Sequence, residues 1–279
     1  MFIVGDLSVE VPDTNAHHWH LEELNQDDSQ NVLLFGYNAP NNKALHQRFE
    51  DCERKIFFNN WAPCEFAQQR SAAHDGIAYD DWFNEIYSIC PYTSEWLNTL
   101  GLSKAYKSIF YPFHRSLVPE PTEKAYDIIY HGGIHGVEHY NCLQVMSHFN
   151  YRYCTMNHHI NQKTARCLPF ATNVNLAFKD KIKLIAQTKI SVCYNLVHIE
   201  ARHVPEIQSY PNWQKNRAFS ELGQWNVMPQ FKTRMHEAAI SRTLNLVQRD
   251  KWNIAEDYYE PNKDFFYFDD AQDLYDKAK

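Results

Sequence analysis

The sequence predicts an α/β protein of two similar halves, each a set of βα units on a mostly parallel sheet. Three observations lead there. Short β-branched and aromatic runs alternate with longer amphipathic stretches. One proline-rich segment interrupts the alternation. The alternation then restarts with a strand that runs straight into a glycine turn.

In the first half, the runs at 2–4, 32–37, 55–59, 85–89 and 108–111 read as strands, with helical stretches near 41–53 and 93–100. Thr93 and Ser94 offer hydroxyl caps to the second of these helices, and Gly101 stands where a glycine would end it. Residues 111–123, YPFHRSLVPEPTE, hold three prolines and no clear period, so they read as a linker. The second half then gives a strand at 126–130, a helix at 136–148 and a strand at 151–156. A helix at 179–188 and a strand at 190–197 come next, then a helix at 231–240 and a strand at 244–248. The expected division is 1–117 and 118–268, with a terminal helix at 269–279 that could pack back on the first half. Two such halves would set their ligand-binding loops facing each other across a cleft.

Composition excludes several classes. With 279 residues, 44% hydrophobic and 22% charged, the chain can bury a sizeable core without disulfides. A formal charge of −7 argues against a nucleic-acid partner, which calls for a basic field. Aromatic residues reach 15%, and such rings line pockets for flat or sugar-like ligands as well as packing cores. No apolar run is long enough for stable membrane insertion, and the start MFIVGD lacks the cationic region of a signal peptide. Seven scattered cysteines without C-x-x-C spacing suit reduced thiols, so the expectation is a soluble cytoplasmic protein.

Two segments carry the chemistry. In Tyr126-Asp127-Ile128-Ile129-Tyr130-His131-Gly132-Gly133-Ile134-His135-Gly136, a strand meets a glycine turn and a helix follows. Glycines let backbone approach a ligand, and helix-start amides favour a phosphate. The G-G-x-x-G spacing, with no acidic residue at the end of the next strand, argues against a dinucleotide. The chain has only 8 glycines, so three within five positions mark a functional turn more readily than a merely tight one. The second segment runs from Lys232 to Val247 and reads as a basic helix start, a helix, a turn and a buried strand. Lys232 and Arg234 can neutralise a diphosphate, with the Ser241-Arg242-Thr243 turn adding amides or hydroxyls. A Glu237 carboxylate on the first turn can accept two vicinal ribose hydroxyls; without other support the same charges read as a solvated helix face.

The stretch EAAISRTLNLV, from Glu237 to Val247, resembles the donor-nucleotide segment of GT-B glycosyltransferases, of the form E-A-x-A-x-G-T-P-V-V. Residues 256–268 resemble that family's later e-x-f-x-p-g-x-d-x-x-x-f stretch, and 126–136 its first strand and turn. The likeness extends to the family 4-like C-terminal domain, and together these stretches span about half the chain. It implies two Rossmann-like domains, a nucleotide-sugar donor and a glycan acceptor, either an oligosaccharide or a glycoprotein. Two departures stand out: Arg242 occupies the usual glycine position and Leu244 the usual proline. Pro229 stands where retaining branches carry a second glutamate, which implies an inverting, exostosin-like branch. The chain is also similar to small soluble glycosyltransferases of large algal viruses, among them a xylosyltransferase.

The resemblance implies that UDP is the carrier and that no divalent metal is required. Lys232, Arg234 and the Ser241, Arg242, Thr243 turn would hold the diphosphate and Glu237 the ribose, with Gly132, Gly133 and His131 also touching the donor. An inverting reaction needs a base from a first-half loop. The loop at 6–20 offers Asp13, His17, His18 and His20, and the loop at 61–81 offers Glu65, His74, Asp75, Asp80 and Asp81. Asp75 in Ala-Ala-His74-Asp75-Gly76 is the first choice and His74 the second. The histidine clusters at 17–20 and 158–159 lack metal-ligand spacing, so no metal site is expected. No G-x-S-x-G or Walker A motif is present. A nucleotide-sugar epimerase or hydrolase, or a non-catalytic sugar-binding module, remains open on the same fold.

Overall fold

The structure is a computed structural model that describes residues 2–4, 31–35, 47, 50–51, 53–59, 83–88, 90–99, 105–108, 118–134, 136–155, 170–198, 201, 204–209 and 227–279. They fall in two compact units.

The first unit holds a five-stranded parallel sheet, β1 (Phe2–Val4), β2 (Asn31–Phe35), β3 (Arg54–Asn59), β4 (Glu85–Ser88) and β5 (Tyr106–Ser108), paired in that order. Helix α1 (Pro91–Asn98) links β4 to β5. It begins two residues before its expected hydroxyl caps, because proline suits a first helical position, where no N–H bond is needed. Thr93 and Ser94 are therefore inside the helix and buried. Trp96 and Tyr92 on α1 are fully buried, and the Asn98 amide bonds both backbone groups of Tyr106, at 2.9 and 2.7 Å. That double bond sets where β5 starts.

The second unit carries a six-stranded, wholly parallel sheet. Its strands are β6 (Tyr126–His131), β7 (Tyr151–Thr155), β8 (Asn173–Val174), β9 (Thr188–Cys193), β12 (Leu244–Gln248) and β13 (Phe265–Phe268). Among the described residues, the two short strands β10 (Leu196–His198) and β11 (Val227–Pro229) pair with each other and stand apart from this sheet. The order β8-β7-β6-β9-β12-β13 is the Rossmann order, third-second-first-fourth-fifth-sixth in chain sequence. Helices α2 (Gly136–Met146), α3 (Phe178–Ala186), α5 (Thr233–Ile240) and α6 (Ala271–Ala278) pack with it, and α4 (Val204–Gln208) lies between β10 and β11 in sequence. Ile128, Tyr130, Leu143, Met146, Val192 and Leu246 form its core. Buried on both faces, β6 reads as a near-continuous apolar run.

Two features of the expected division differ. The described residues between 197 and 230 cluster with the first unit, because β10 and β11 stay outside the six-stranded sheet. The terminal helix groups with the second unit: α6 lies on α2, and Leu274 is fully buried in that unit's core. Its Asp270 side chain caps it by accepting the Asp273 N–H at 2.9 Å. Leu274→Ala should cost about 2–5 kcal/mol, the range for a buried leucine, read from urea unfolding monitored by circular dichroism.

Three buried titratable groups contribute to the acid stability of this unit. Burial pushes His236 down to about 3 and holds His131 well below the ordinary histidine range, aided by Lys181 and Arg234. Both are neutral when folded, so each takes up a proton on unfolding below about pH 6.5, and stability falls as pH falls. Asp250 works the other way. Burial raises it to about 6, so between about pH 6 and the ordinary 3.8 the folded state holds the extra proton and gains stability as pH falls. Near pH 5 His236 alone contributes a loss of about 1.4 kcal/mol per pH unit, His131 adds to it and Asp250 offsets part of it. His236→Phe should remove about that much of the pH slope, measured as unfolding free energy at pH 5 and 7.

Candidate functional site

A parallel sheet presents all its strand carboxyl ends at one edge, and in Rossmann order the crevice opens between the first and fourth strands. Here these are β6 and β9, paired from Tyr126↔Thr188 to Tyr130↔Val192. The end of β6 is His131 and then Gly132, and β9 is followed by Tyr194 and Asn195.

Asn195 fixes the helix that completes the site. Its Oδ1 accepts the backbone N–H of Lys232, the N-cap residue of α5, at 3.1 Å. No side chain caps α5 and no acidic residue stands in its first turn. Glu237 is thus one turn further along than expected. The helix start carries the positive end of its dipole, together with Lys232 and Arg234.

Arg234 is locked from two sides. Its Nη1 donates to the Tyr130 hydroxyl at 2.9 Å, and its guanidinium lies 5.1 Å from the Tyr130 ring centroid. Gly132 makes the space. At φ +128° only glycine is unstrained, and a Cβ there would stand 2.3 Å from Arg234 Nη2. The glycine turn therefore approaches an arginine. The Gly132 N–H is bonded to the Cys154 carbonyl at 2.9 Å, and the Tyr130 hydroxyl donates to the Gly133 carbonyl at 2.7 Å. Those groups serve the turn itself, and Arg234 and the start of α5 stand beside it.

Beside them lies a buried ionic cluster. Glu237 is 3% exposed, and its Oε1 accepts from Lys181 Nζ at 3.0 Å. Its Oε2 stands 3.3 Å from His131 Nδ1. Lys181 comes from the first turn of α3 and its Nζ lies 4.7 Å from the Phe178 ring centroid. Sequence reading missed Lys181. The only signal for it was a lysine on an amphipathic helix 56 residues before its partner.

The Ser241-Arg242-Thr243 turn is not brought to this cluster. It follows the far end of α5 and precedes β12, so it sits at the amino edge of the sheet. The Thr243 hydroxyl donates to the Ile185 carbonyl at 2.7 Å, and Lys124 Nζ to the Arg242 carbonyl at 2.9 Å. Arg242 adopts the left-handed conformation, φ +53°, which accounts for glycine being usual there, and its Nη1 donates to the Pro119 carbonyl at 2.8 Å. These bonds close the turn against the start of the unit, so the expected diphosphate role does not suit it. Asp75 and His74, with Asp13, Asp80, Asp81 and the histidine clusters, lie outside the described residues. Among the described residues, no group of three or more His, Cys, Asp or Glu is placed to hold a metal ion. No described helix is long and apolar enough to cross a membrane.

Comparison of the sequence with protein-family models and with curated proteins finds no match. Solved structures do match. Anabaena Alr3699/HepE in complex with UDP and glucose is similar over 88% of this chain and 67% of its own, with a TM-score of 0.53 at 9% identity. The same protein in complex with UDP-glucose gives a TM-score of 0.52 at 11% identity over the same shares. At such identity the likeness is one of fold, and with the two parallel-sheet units it gives this chain a GT-B fold.

Proposed function

We propose that the chain is a glycosyltransferase that moves a sugar from a UDP-sugar to a hydroxyl of an oligosaccharide or glycoprotein glycan, with inversion and without a divalent metal. The observation that supports this best is the carboxyl edge of β6 and β9. There Arg234, Lys232 and an uncapped helix start offer positive charge beside the buried carboxylate of Glu237. A nucleoside diphosphate has the matching parts, with anionic oxygens for the cations and ribose hydroxyls for the acceptors. HepE, of the same fold, binds UDP-glucose.

In this reading the acceptor hydroxyl attacks the anomeric carbon while Asp75 takes its proton. The bond to the diphosphate breaks with its electron pair on the leaving oxygen, where Arg234 and Lys232 meet the charge. UDP-xylose, from the viral resemblance, and UDP-glucose, which HepE binds, are the first donors to test.

Incubating the protein with each UDP-sugar and a glycan panel separates the readings. Release of UDP only with acceptor supports transfer, isomerised sugar indicates an epimerase, UDP release without acceptor a hydrolase, and binding without turnover a sugar-binding module. Arg234→Gln should weaken UDP roughly ten- to a hundredfold, the scale of a charge-assisted hydrogen bond, and uridine far less. Equal losses for both ligands would make Arg234 structural. Asp75→Asn should lower turnover by about 10²–10⁴-fold with donor affinity kept, as expected for a lost general base. Near wild-type turnover would move the base to His74 or Asp13.

A further inference from the structure

Helix α5 carries Lys232 and Arg234 to the carboxyl edge, yet little within the helix holds it there. It has eight residues, about two turns, which is too short to be stable alone, and no side chain caps it. Its place is therefore set by the groups packed against it. Asn195 holds the N-cap residue through its backbone N–H. A buried imidazole bears on the same end of the helix. His236 stands at the beginning of the second turn and is fully buried. A helical side chain leans back over the turn before it. The His236 ring accordingly meets Phe231, the residue just ahead of Lys232, at 4.8 Å between centroids.

His236 is in turn held from outside the helix. Its Nδ1 and the Tyr259 hydroxyl are hydrogen-bonded at 2.6 Å. Tyr259 lies beyond β12, on a segment whose own place is fixed. Asp250 Oδ1 accepts the Trp252 N–H at 2.9 Å, a short 3₁₀ helix follows at Ile254–Asp257, and the Tyr259 N–H donates to the Ala255 carbonyl at 3.0 Å. The surroundings of the bond are aromatic. Tyr258 meets Phe231 edge-on at 4.7 Å, and the Tyr259 ring lies nearly parallel to that of Phe231, 6.3 Å away. Apolar contacts are non-directional, whereas a hydrogen bond fixes distance and direction. Burial lowers the imidazole to about 3 and pushes the phenol up, so the pair is uncharged across the ordinary pH range.

We propose that Tyr259 is a positioning residue: through its hydroxyl bond to His236 it sets where the start of α5 lies, and with it the reach of Lys232 and Arg234 toward the diphosphate of a bound donor. The proposal rests on the UDP-sugar reading, which supplies the diphosphate. Glu237, further along α5, is held separately by Lys181. Loss of the Tyr259 hydroxyl therefore acts on the diphosphate and spares the nucleoside.

Calorimetric titration of the full chain with UDP and with uridine tests it, on the wild type, Tyr259→Phe, His236→Asn and His236→Leu. Tyr259→Phe keeps the ring and removes only the hydroxyl. It should weaken UDP about five- to tenfold and uridine less than about twofold, a smaller loss than from removing a cation outright. His236→Asn places an amide where Nδ1 stood and should keep most of the wild-type preference for UDP over uridine. His236→Leu should lose as much of that preference as Tyr259→Phe. Adding Tyr259→Phe to His236→Leu should cost nothing more, because the two side chains act through one bond. A lowered melting temperature with the UDP-to-uridine ratio kept makes Tyr259 structural and overturns the inference, while the UDP-sugar reading stands. Losses by one common factor for both ligands, or additive losses in the double variant, overturn it as well. Absence of UDP binding by the wild type overturns that reading and this inference with it.

Discussion

Parallel pairing is the constraint on which the second unit depends. Strands that all run one way cannot be joined by hairpins, so each connection must travel the length of the sheet before the next strand begins. Strand carboxyl ends then gather at one edge and helix starts arrive at the same edge. The interior strands are buried along most of their length, which leaves their carboxyl ends as the open ground for a ligand. His131, the last residue of β6, and Asn195, two residues beyond β9, mark where buried apolar strand gives way to polar groups. Asn195 bonds the N-cap residue of α5 and so couples the helix start to the strand end.

Burying Glu237 at that edge creates a second requirement, because an isolated carboxylate out of water is very costly. Lys181 meets it directly with a 3.0 Å bond. His131 stays neutral, since burial and the nearby Lys181 and Arg234 all oppose a third charge. Arg234 is oriented by a phenol in place of a carboxylate, so its charge is not cancelled by its partner. Lys181, Lys232 and Arg234 set three positive charges around the Glu237 carboxylate, in a chain whose formal charge is −7. Negative overall charge therefore says little about the sign of a local site.

How much of this was legible in the sequence follows from the range over which each signal acts. The βα alternation and the strand-to-glycine turn are local, and the strands at 126–130 and 244–248 emerge close to β6 and β12. Lys232, Arg234 and Glu237 share one helix, so their proximity is also local. Lys181 reaches Glu237 only through the packing of α3 beside α5, which no spacing encodes. The Ser241–Thr243 turn fails for the opposite reason. It is close to Arg234 in sequence, but α5 has eight residues and rises about 1.5 Å per residue, which carries its two ends to opposite edges of the sheet. Neighbours along a crossover helix are not neighbours at a parallel-sheet site. The same reasoning, applied to the strand order, could have separated them.

The glycine turn shows how a correct signal can carry a different cause. A strand ending in Gly132-Gly133 invites the reading that backbone amides meet a phosphate. The Gly132 amide is already bonded to Cys154, and the missing Cβ is filled by the guanidinium of Arg234. Gly132 shapes this edge through a side chain 102 residues away in the chain. A larger residue at 132 would displace the guanidinium from Tyr130 as well as strain its own backbone, so both effects act on the same group. The turn, the tyrosine and the arginine thus form one device. The glycine belongs to it because it has the smallest side chain and tolerates a positive φ, and both properties are needed at once.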